Sequence, residues 1–212
     1  MEQMEVIRNQ KVAEKVIKGL ESRNMEGFFV ETKEEALEKA LNLIAQGSSI
    51  GWGGSMSVDV IGLKQVLEEG NYTTIDRAKA TSPEEAEKIV RECFNADYFL
   101  TSTNAITEDG ILVNIDGNSN RVAAICFGPK KVIMIVGMNK VVKTEADAMS
   151  RARNTAAPIN AQRFMIQTPC KTTGSCMDCK SKDTICCQFL TTRFSKHADR
   201  IKVILVNEVL GF

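Results

Sequence analysis

Lys131-Val-Ile-Met-Ile-Val-Gly137 (KVIMIVG) is an unbroken apolar run of the kind a strand shows when both of its faces are covered. Ile201-Lys-Val-Ile-Leu-Val206 (IKVILV) is a second such run. Strands with one wet face alternate apolar and polar residues, and these two do not, which points to a parallel sheet between helical layers. Working outward, strand and helix signals alternate. Ala13, Val16, Ile17 and Leu20 share one face of an N-terminal helix within residues 1–25. A short apolar run at Gly27–Val30 precedes a helix carrying Leu37, Ala40, Leu41 and Ile44 on one face. "SSI" enters a glycine-rich turn, a helix marked by Val60, Leu63 and Leu67 follows, and "YTTI" reads as the next strand.

Ser82-Pro83-Glu84-Glu85 is a helix start in which Ser82 caps, Pro83 fits the first turn and Glu85 closes a capping box. Ala86, Ile89, Val90, Cys93 and Phe94 then fall at core spacing, so Cys93 reads as packing. "DYFLTST" and "ILVNI" read as strands with Asp109-Gly110 as the hairpin turn between them. Thr144 caps a helix between the two long apolar runs. The pattern predicts one domain over residues 1–212, a three-layer α/β/α fold with a mostly parallel sheet. In such sheets ligands bind beyond the carboxyl ends of the strands.

Composition excludes several functions. The 212 residues carry 27 basic and 27 acidic side chains, so no net field draws the chain to nucleic acid or to an anionic membrane. One tryptophan and two tyrosines are too few for a base-stacking platform. No segment approaches the roughly 20 apolar residues that span a bilayer, and the charged N-terminus does not read as a signal peptide. The expected compartment is the cytoplasm, where clustered cysteines bind metal or do redox chemistry more often than they form disulfides.

Three loops are candidate sites. Gly51-Trp-Gly-Gly-Ser-Met-Ser57 follows a strand and precedes a helix, so backbone amides and a helix dipole are expected to hold an anion, with the Ser55 and Ser57 hydroxyls as further donors. The plain alternative is a tight turn that needs glycine for its backbone angles. Thr103–Arg121 holds two acidic-glycine turns, and Asn114, Asp116, Asn118 and Arg121 are candidates to line a pocket, beside the reading of simple turn residues. The segment 168–188, placed before the last strand, spaces its cysteines C-x5-C-x2-C-x6-C-C. Cys170, Cys176, Cys179 and Cys186 (or Cys187 in its place) are the expected ligands of zinc or an iron–sulfur cluster, which sequence does not distinguish. The alternative is a set of reduced loop thiols. His197 is the only histidine, so a multi-histidine centre is excluded.

"GWGGSMSV", "ADYFLTSTNAITEDGILVNIDGNSNRVAAICFGPKKVIMIVGMNKVV", "NAQRF", "TPCKTTGSCMDCKSKDTICC" and "RIKVILVNEVLG" together resemble the LUD, or lactate-utilisation, domain family in its compact stand-alone bacterial form, from about Ile7 to Phe212. The resemblance implies a fold similar to ribose-5-phosphate isomerase, glucosamine-6-phosphate deaminase and the CoA transferases. It also implies anion contacts at Gly53, Gly54 and Ser55, a pocket lined by Asp109, Asn114, Asp116 and Asn118, and Lys140 as a cation at its edge. Asp109, Asp116 and Lys140 are the catalytic candidates. The isomerases have an acidic residue where this chain has Thr103-Asn104, and no glutamate here matches the CoA-transferase nucleophile.

The expected function is a redox-linked role in lactate or related organic-acid metabolism, with a small anionic metabolite as ligand and iron–sulfur proteins as partners. The alternatives are an enzyme acting on a phosphorylated sugar or CoA ester, and a module that senses a metabolite. The N-terminal helix is a candidate for self-association.

Overall fold

The computed structural model describes residues 2–212. Its strands are β1 (Glu26–Val30), β2 (Ser49–Trp52), β3 (Thr73–Ile75), β4 (Tyr98–Thr101), β5 (Ala105–Thr107), β6 (Leu112–Asp116), β7 (Lys131–Gly137), β8 (Val141–Val142), β9 (Gln188–Thr192) and β10 (Ile201–Val206). The helices are α1 (Glu2–Ser22), α2 (Lys33–Leu43), α3 (Met56–Val60), α4 (Leu63–Glu69), α5 (Pro83–Glu92), α6 (Asn120–Cys126), α7 (Glu145–Arg151), α8 (Ala157–Ala161) and α9 (Pro169–Thr173). None of these is long and apolar enough to cross a membrane.

Six strands form the central sheet in the order β1-β10-β7-β4-β2-β3, and every pairing in it is parallel. The two apolar runs are its paired middle strands, and alternate side chains enter opposite layers. Val132, Met134 and Val136 pack with Val12, Ala13, Val16 and Leu20 of α1 and with Ile125 of α6. Ile133 and Ile135 pack with Ala36 and Ala40 of α2 and with Val58, Leu63 and Leu67 of α3 and α4. The three-layer expectation holds because both faces of β7 are covered.

A second sheet, in the order β8-β5-β6-β9, was not read from the sequence. It changes the hairpin. Asp109-Gly110 does turn the chain, but the strand entering the turn is β5, while Tyr98–Thr101 belongs to the central sheet. The polar residues between them cause the break: the Thr103 hydroxyl donates to Ala105 O (2.8 Å) and Val113 O (3.0 Å), binding the chain to the small sheet. β9 also intervenes between the cysteine segment and the last strand, pairing antiparallel with β6. Ile111, Val113 and Ile115 of this sheet pack on Ala148 and Ala152, forming a third apolar cluster.

Three local expectations need correction. The helix marked by Val60, Leu63 and Leu67 is two helices, because Gly62 takes a left-handed φ of 73° between them. At α5, Ser82 caps as expected by accepting from Glu85 N (3.2 Å), but the Glu85 carboxylate turns to Thr81 N (2.6 Å) and Thr81 Oγ1 (2.7 Å). Cys93 is buried as expected, while no residue of α5 itself is fully buried. Thr144 does cap α7, in a full capping box with Asp147. α7 passes into α8 through one π-helical stretch, Ala152–Ala156.

Candidate functional site

The register of the central sheet sets Trp52 beside Leu100 and Thr101 beside Met134, so the loops leaving β2, β4 and β7 emerge together. A cavity of about 310 Å³ lies at that mouth. Its wall includes Gly54, Ser55 and Ser57 after β2, Thr101 to Asn104 after β4, and Lys140 after β7. The small sheet and α6 add Asp116, Asn118 and Arg121. The cavity is therefore where the strand-end rule puts it.

Glycine in the first loop serves packing more than backbone geometry. A Cβ on Gly51 would stand 2.7 Å from Cys93 Sγ, so β2 needs glycine to pass that side chain. Gly53 and Gly54 have no left-handed φ, and a Cβ on Gly54 would meet only Arg77 Nη2, at 3.6 Å. The tight-turn explanation thus fails at Gly54, which opens onto the cavity. Ser55 caps α3 by accepting from Val58 N (3.5 Å). α3 has only five residues, so the expected helix dipole has little length to act through, and amides, hydroxyls and guanidinium groups are left as the local anion donors.

Lys140 is the most unusual group on the wall. It is 2% exposed, and its amine donates to Ser102 Oγ (2.9 Å) and Ser57 Oγ (3.1 Å). Burial, then the charges of Arg151 and Arg121, push its pKa down to about 7. No carboxylate pairs with it among the described residues.

Arg121 ties the second candidate loop together. Nη1 donates to Asn114 Oδ1 (2.6 Å) and Ser102 O (3.1 Å), and Nη2 to Ile115 O (2.7 Å) and Asn104 Oδ1 (3.1 Å). Asn114 is fully buried beneath this cation and outside the cavity lining, its Nδ2 without a partner among the described residues. Asp116 accepts from the amides of Asn118 (3.2 Å), Arg121 (2.9 Å) and Val122 (3.0 Å). Both of its oxygens are engaged in starting α6, which ordinarily falls to an N-cap side chain. Asp109 is elsewhere: it is exposed on the hairpin, held by the Thr107 hydroxyl (2.5 Å) and paired with Arg23. Those contacts, Thr107 first, lower its pKa.

Sequence reasoning missed Ser102, Arg77 and Arg163 on the cavity wall. Ser102 was within reach of the strand-end rule, since it follows β4 directly. Arg77 and Arg163 sit on distant loops and carried no local signal. With them the wall holds Arg77, Arg121, Lys140 and Arg163 against one carboxylate, Asp116.

The cysteine segment forms one side of this site. Thr184 and Ile185 line the cavity, and the amide of Cys187 donates to Asp116 O (2.9 Å). Asp183 accepts from Gln167 N (2.8 Å), which closes the neck of the loop, and Asp178, between Cys176 and Cys179, pairs with Arg153 of the π-helical stretch. Cys186 packs against the third apolar cluster, and its thiol pKa is pushed up to about 11. Burial is the main cause, followed by the neighbouring sulfurs of Cys170, Cys176, Cys179 and Cys187. Thiols are a donor type that suits a soft metal centre. As the side chains stand, no group of three or more His, Cys, Asp or Glu among the described residues is placed to hold a metal ion. All seven cysteines are free thiols.

A family model described as the LUD domain matches residues 13–206. The chain belongs to the LUD domain family. The family is linked in general terms to lactate utilisation. This LUD domain is also similar to the crystal structure of a DUF162 family protein from Deinococcus radiodurans, with a TM-score of 0.54 and 14% identity. That match covers 94% of this chain and 98% of the other, and at such identity it bears on the fold alone. No curated protein matches this LUD domain in sequence.

Proposed function

We propose that the cavity binds a small organic anion of the 2-hydroxy or 2-oxo acid class, and that the cysteine segment holds an iron–sulfur cluster or zinc beside it. The observation that carries this reading is the shared wall: Thr184 and Ile185 face the cavity one and two residues before Cys186. Four cations against one carboxylate favour an anionic ligand, and a cavity of about 310 Å³ is the size of a small metabolite site. Cys170, Cys176, Cys179 and Cys186 would be the ligands. Closing onto a metal would need their thiols to deprotonate and move together, so binding and loop ordering would be coupled. An iron–sulfur centre would supply one-electron transfer at this wall, and an iron–sulfur protein would be the matching partner.

The work of the remaining residues follows from their chemistry. Arg77 and Arg163 would orient the carboxylate by charge-assisted hydrogen bonds, Gly54 would let the ligand approach the backbone, and Lys140 would stand at the reacting carbon. Anaerobic purification with iron, zinc and acid-labile sulfide analysis tests the metal half, and calorimetry with lactate and pyruvate tests the pocket. Protein lacking metal and sulfide, and silent toward both acids, would remove the reading.

A second reading has its own support. Arg77 Nη2 beside the Gly54-Ser55 turn also suits a phosphate, as on a phosphorylated sugar. Binding of sugar phosphates with no response to the organic acids would favour it.

A further inference from the structure

We propose that Lys140 is a nucleophile that condenses with the carbonyl of a 2-oxo acid in the cavity to form a Schiff base. The inference rests on the organic-acid reading of the pocket and adds a covalent step to it.

The hydrogen bonds around the amine are the main argument. Ser102 Oγ makes its shortest contact as donor to Ile135 O (2.6 Å), and Ser57 Oγ to Leu210 O (3.1 Å). Each hydroxyl has one proton, so with that proton given to a backbone carbonyl it faces Lys140 as an acceptor. An uncharged amine has two N–H groups and one lone pair. The two serines take both N–H groups, and the lone pair is the group left over. The chain also makes room above it: Gly211 has a φ of 59°, and a Cβ there would stand 2.9 Å from Ser57 Oγ and 3.3 Å from Lys140 Nζ.

Electrostatics point the same way. Burial acts most strongly on the amine, and the charged groups that add to it, Arg151 of α7 and Arg121 of α6, are both cationic. A buried lysine beside other cations loses its proton near neutral pH and becomes nucleophilic. A 2-oxo acid fits this wall because Arg77 and Arg163 supply partners for its carboxylate while the amine meets its neighbouring carbonyl.

The step balances without an oxidant or reductant. The lone pair of Nζ attacks the carbonyl carbon and forms the C–N bond, and the carbonyl oxygen takes a proton while nitrogen gives one up. The resulting hydroxyl takes the second proton of nitrogen and leaves as water as the C=N bond forms, giving the neutral imine. The Ser57 and Ser102 hydroxyls accept from Nζ and so fix how the amine is presented to the carbonyl carbon.

The test is borohydride trapping on the full chain with pyruvate and with glyoxylate, read by intact mass and peptide mapping, with calorimetry on the same samples. We expect one reduced adduct per chain, on the peptide containing Lys140, with a yield that rises as pH passes about 7. Lys140→Arg and Lys140→Met should bind the acids and give no adduct, and Ser102→Ala should slow trapping by about tenfold, an effect of roughly 1.4 kcal/mol. Binding without an adduct overturns the covalent step and leaves the pocket reading standing. An adduct that persists in both Lys140 variants overturns the assignment to Lys140. Neither binding nor trapping overturns this inference together with the reading beneath it.

Discussion

The amide of Cys187 donates to the carbonyl of Asp116 at 2.9 Å, so the cysteine segment and the cavity share one strand end. β9 continues the same pairing along β6, from Gln188 opposite Asp116 to Thr192 opposite Leu112. Ligand state on one side can therefore reach the other through backbone rather than through long side chains.

The ligand assignment gives the first prediction. Cys176→Ser and Cys179→Ser should each lower bound iron or zinc severalfold, because a hydroxyl is a poor donor to a soft centre. Cys126→Ser should leave metal content unchanged, since Cys126 ends α6 and lies outside the cysteine segment. Elemental analysis of anaerobic protein decides it, and equal metal in all three variants would end the assignment.

Gly54 tests the cavity without disturbing the core. A side chain there meets only Arg77 Nη2, at 3.6 Å, and needs no left-handed backbone. Gly54→Leu should keep stability within about 0.5 kcal/mol, as expected of a change clear of the core. It should weaken anion binding at least tenfold, a loss of about 1.4 kcal/mol. Unchanged affinity in calorimetry would mean the anion does not approach this turn.

Gly51 tests packing instead. A Cβ there would lie 2.7 Å from Cys93 Sγ and 3.0 Å from Cys93 Cβ. Gly51→Ala should cost roughly 1–3 kcal/mol through overpacking. Combined with Cys93→Ala it should cost clearly less than the sum of the two single changes, because the clashing sulfur is gone. Urea unfolding of the four proteins measures the coupling, and strict additivity would show that the backbone shifts to absorb the contact.

What could be read in advance divides along physical lines. β7 and β10 were legible because burial on both faces leaves an unbroken apolar run in the chain itself. Thr144 was legible because capping is local. The small sheet was not: β5 has three residues and β8 two, too short for periodicity, and they exist only through pairing, β5 with β6 and β8 with β5. In the site, Gly54, Asp116, Asn118 and Arg121 were named from turns beside strands and Lys140 from the family resemblance, and all line the cavity. Asp109 was named for the pocket from the family resemblance and serves the hairpin, since a turn carboxylate looks alike in sequence whichever way its loop faces. Arg77 and Arg163 reach the cavity from chain positions more than 80 residues apart, so their meeting is a property of the fold alone.

Lys140 makes stability depend on pH in an unusual direction. Its pKa falls from an ordinary 10.5 to about 7 in the folded chain, chiefly through burial. Between those values the unfolded chain holds a proton that the folded chain has released, so this group makes stability rise with pH across the window. Below about pH 7 both states are charged, and the folded state bears the full cost of a buried cation, on the order of a few kcal/mol. Lys140→Met keeps the length of the side chain, and Ser57 and Ser102 keep their bonds to Leu210 O and Ile135 O. The variant should be more stable than the parent at and below neutral pH, with the difference shrinking toward pH 10.5. Urea titrations spanning the window measure this, and parallel profiles for parent and variant would show that Lys140 stays charged in the folded protein.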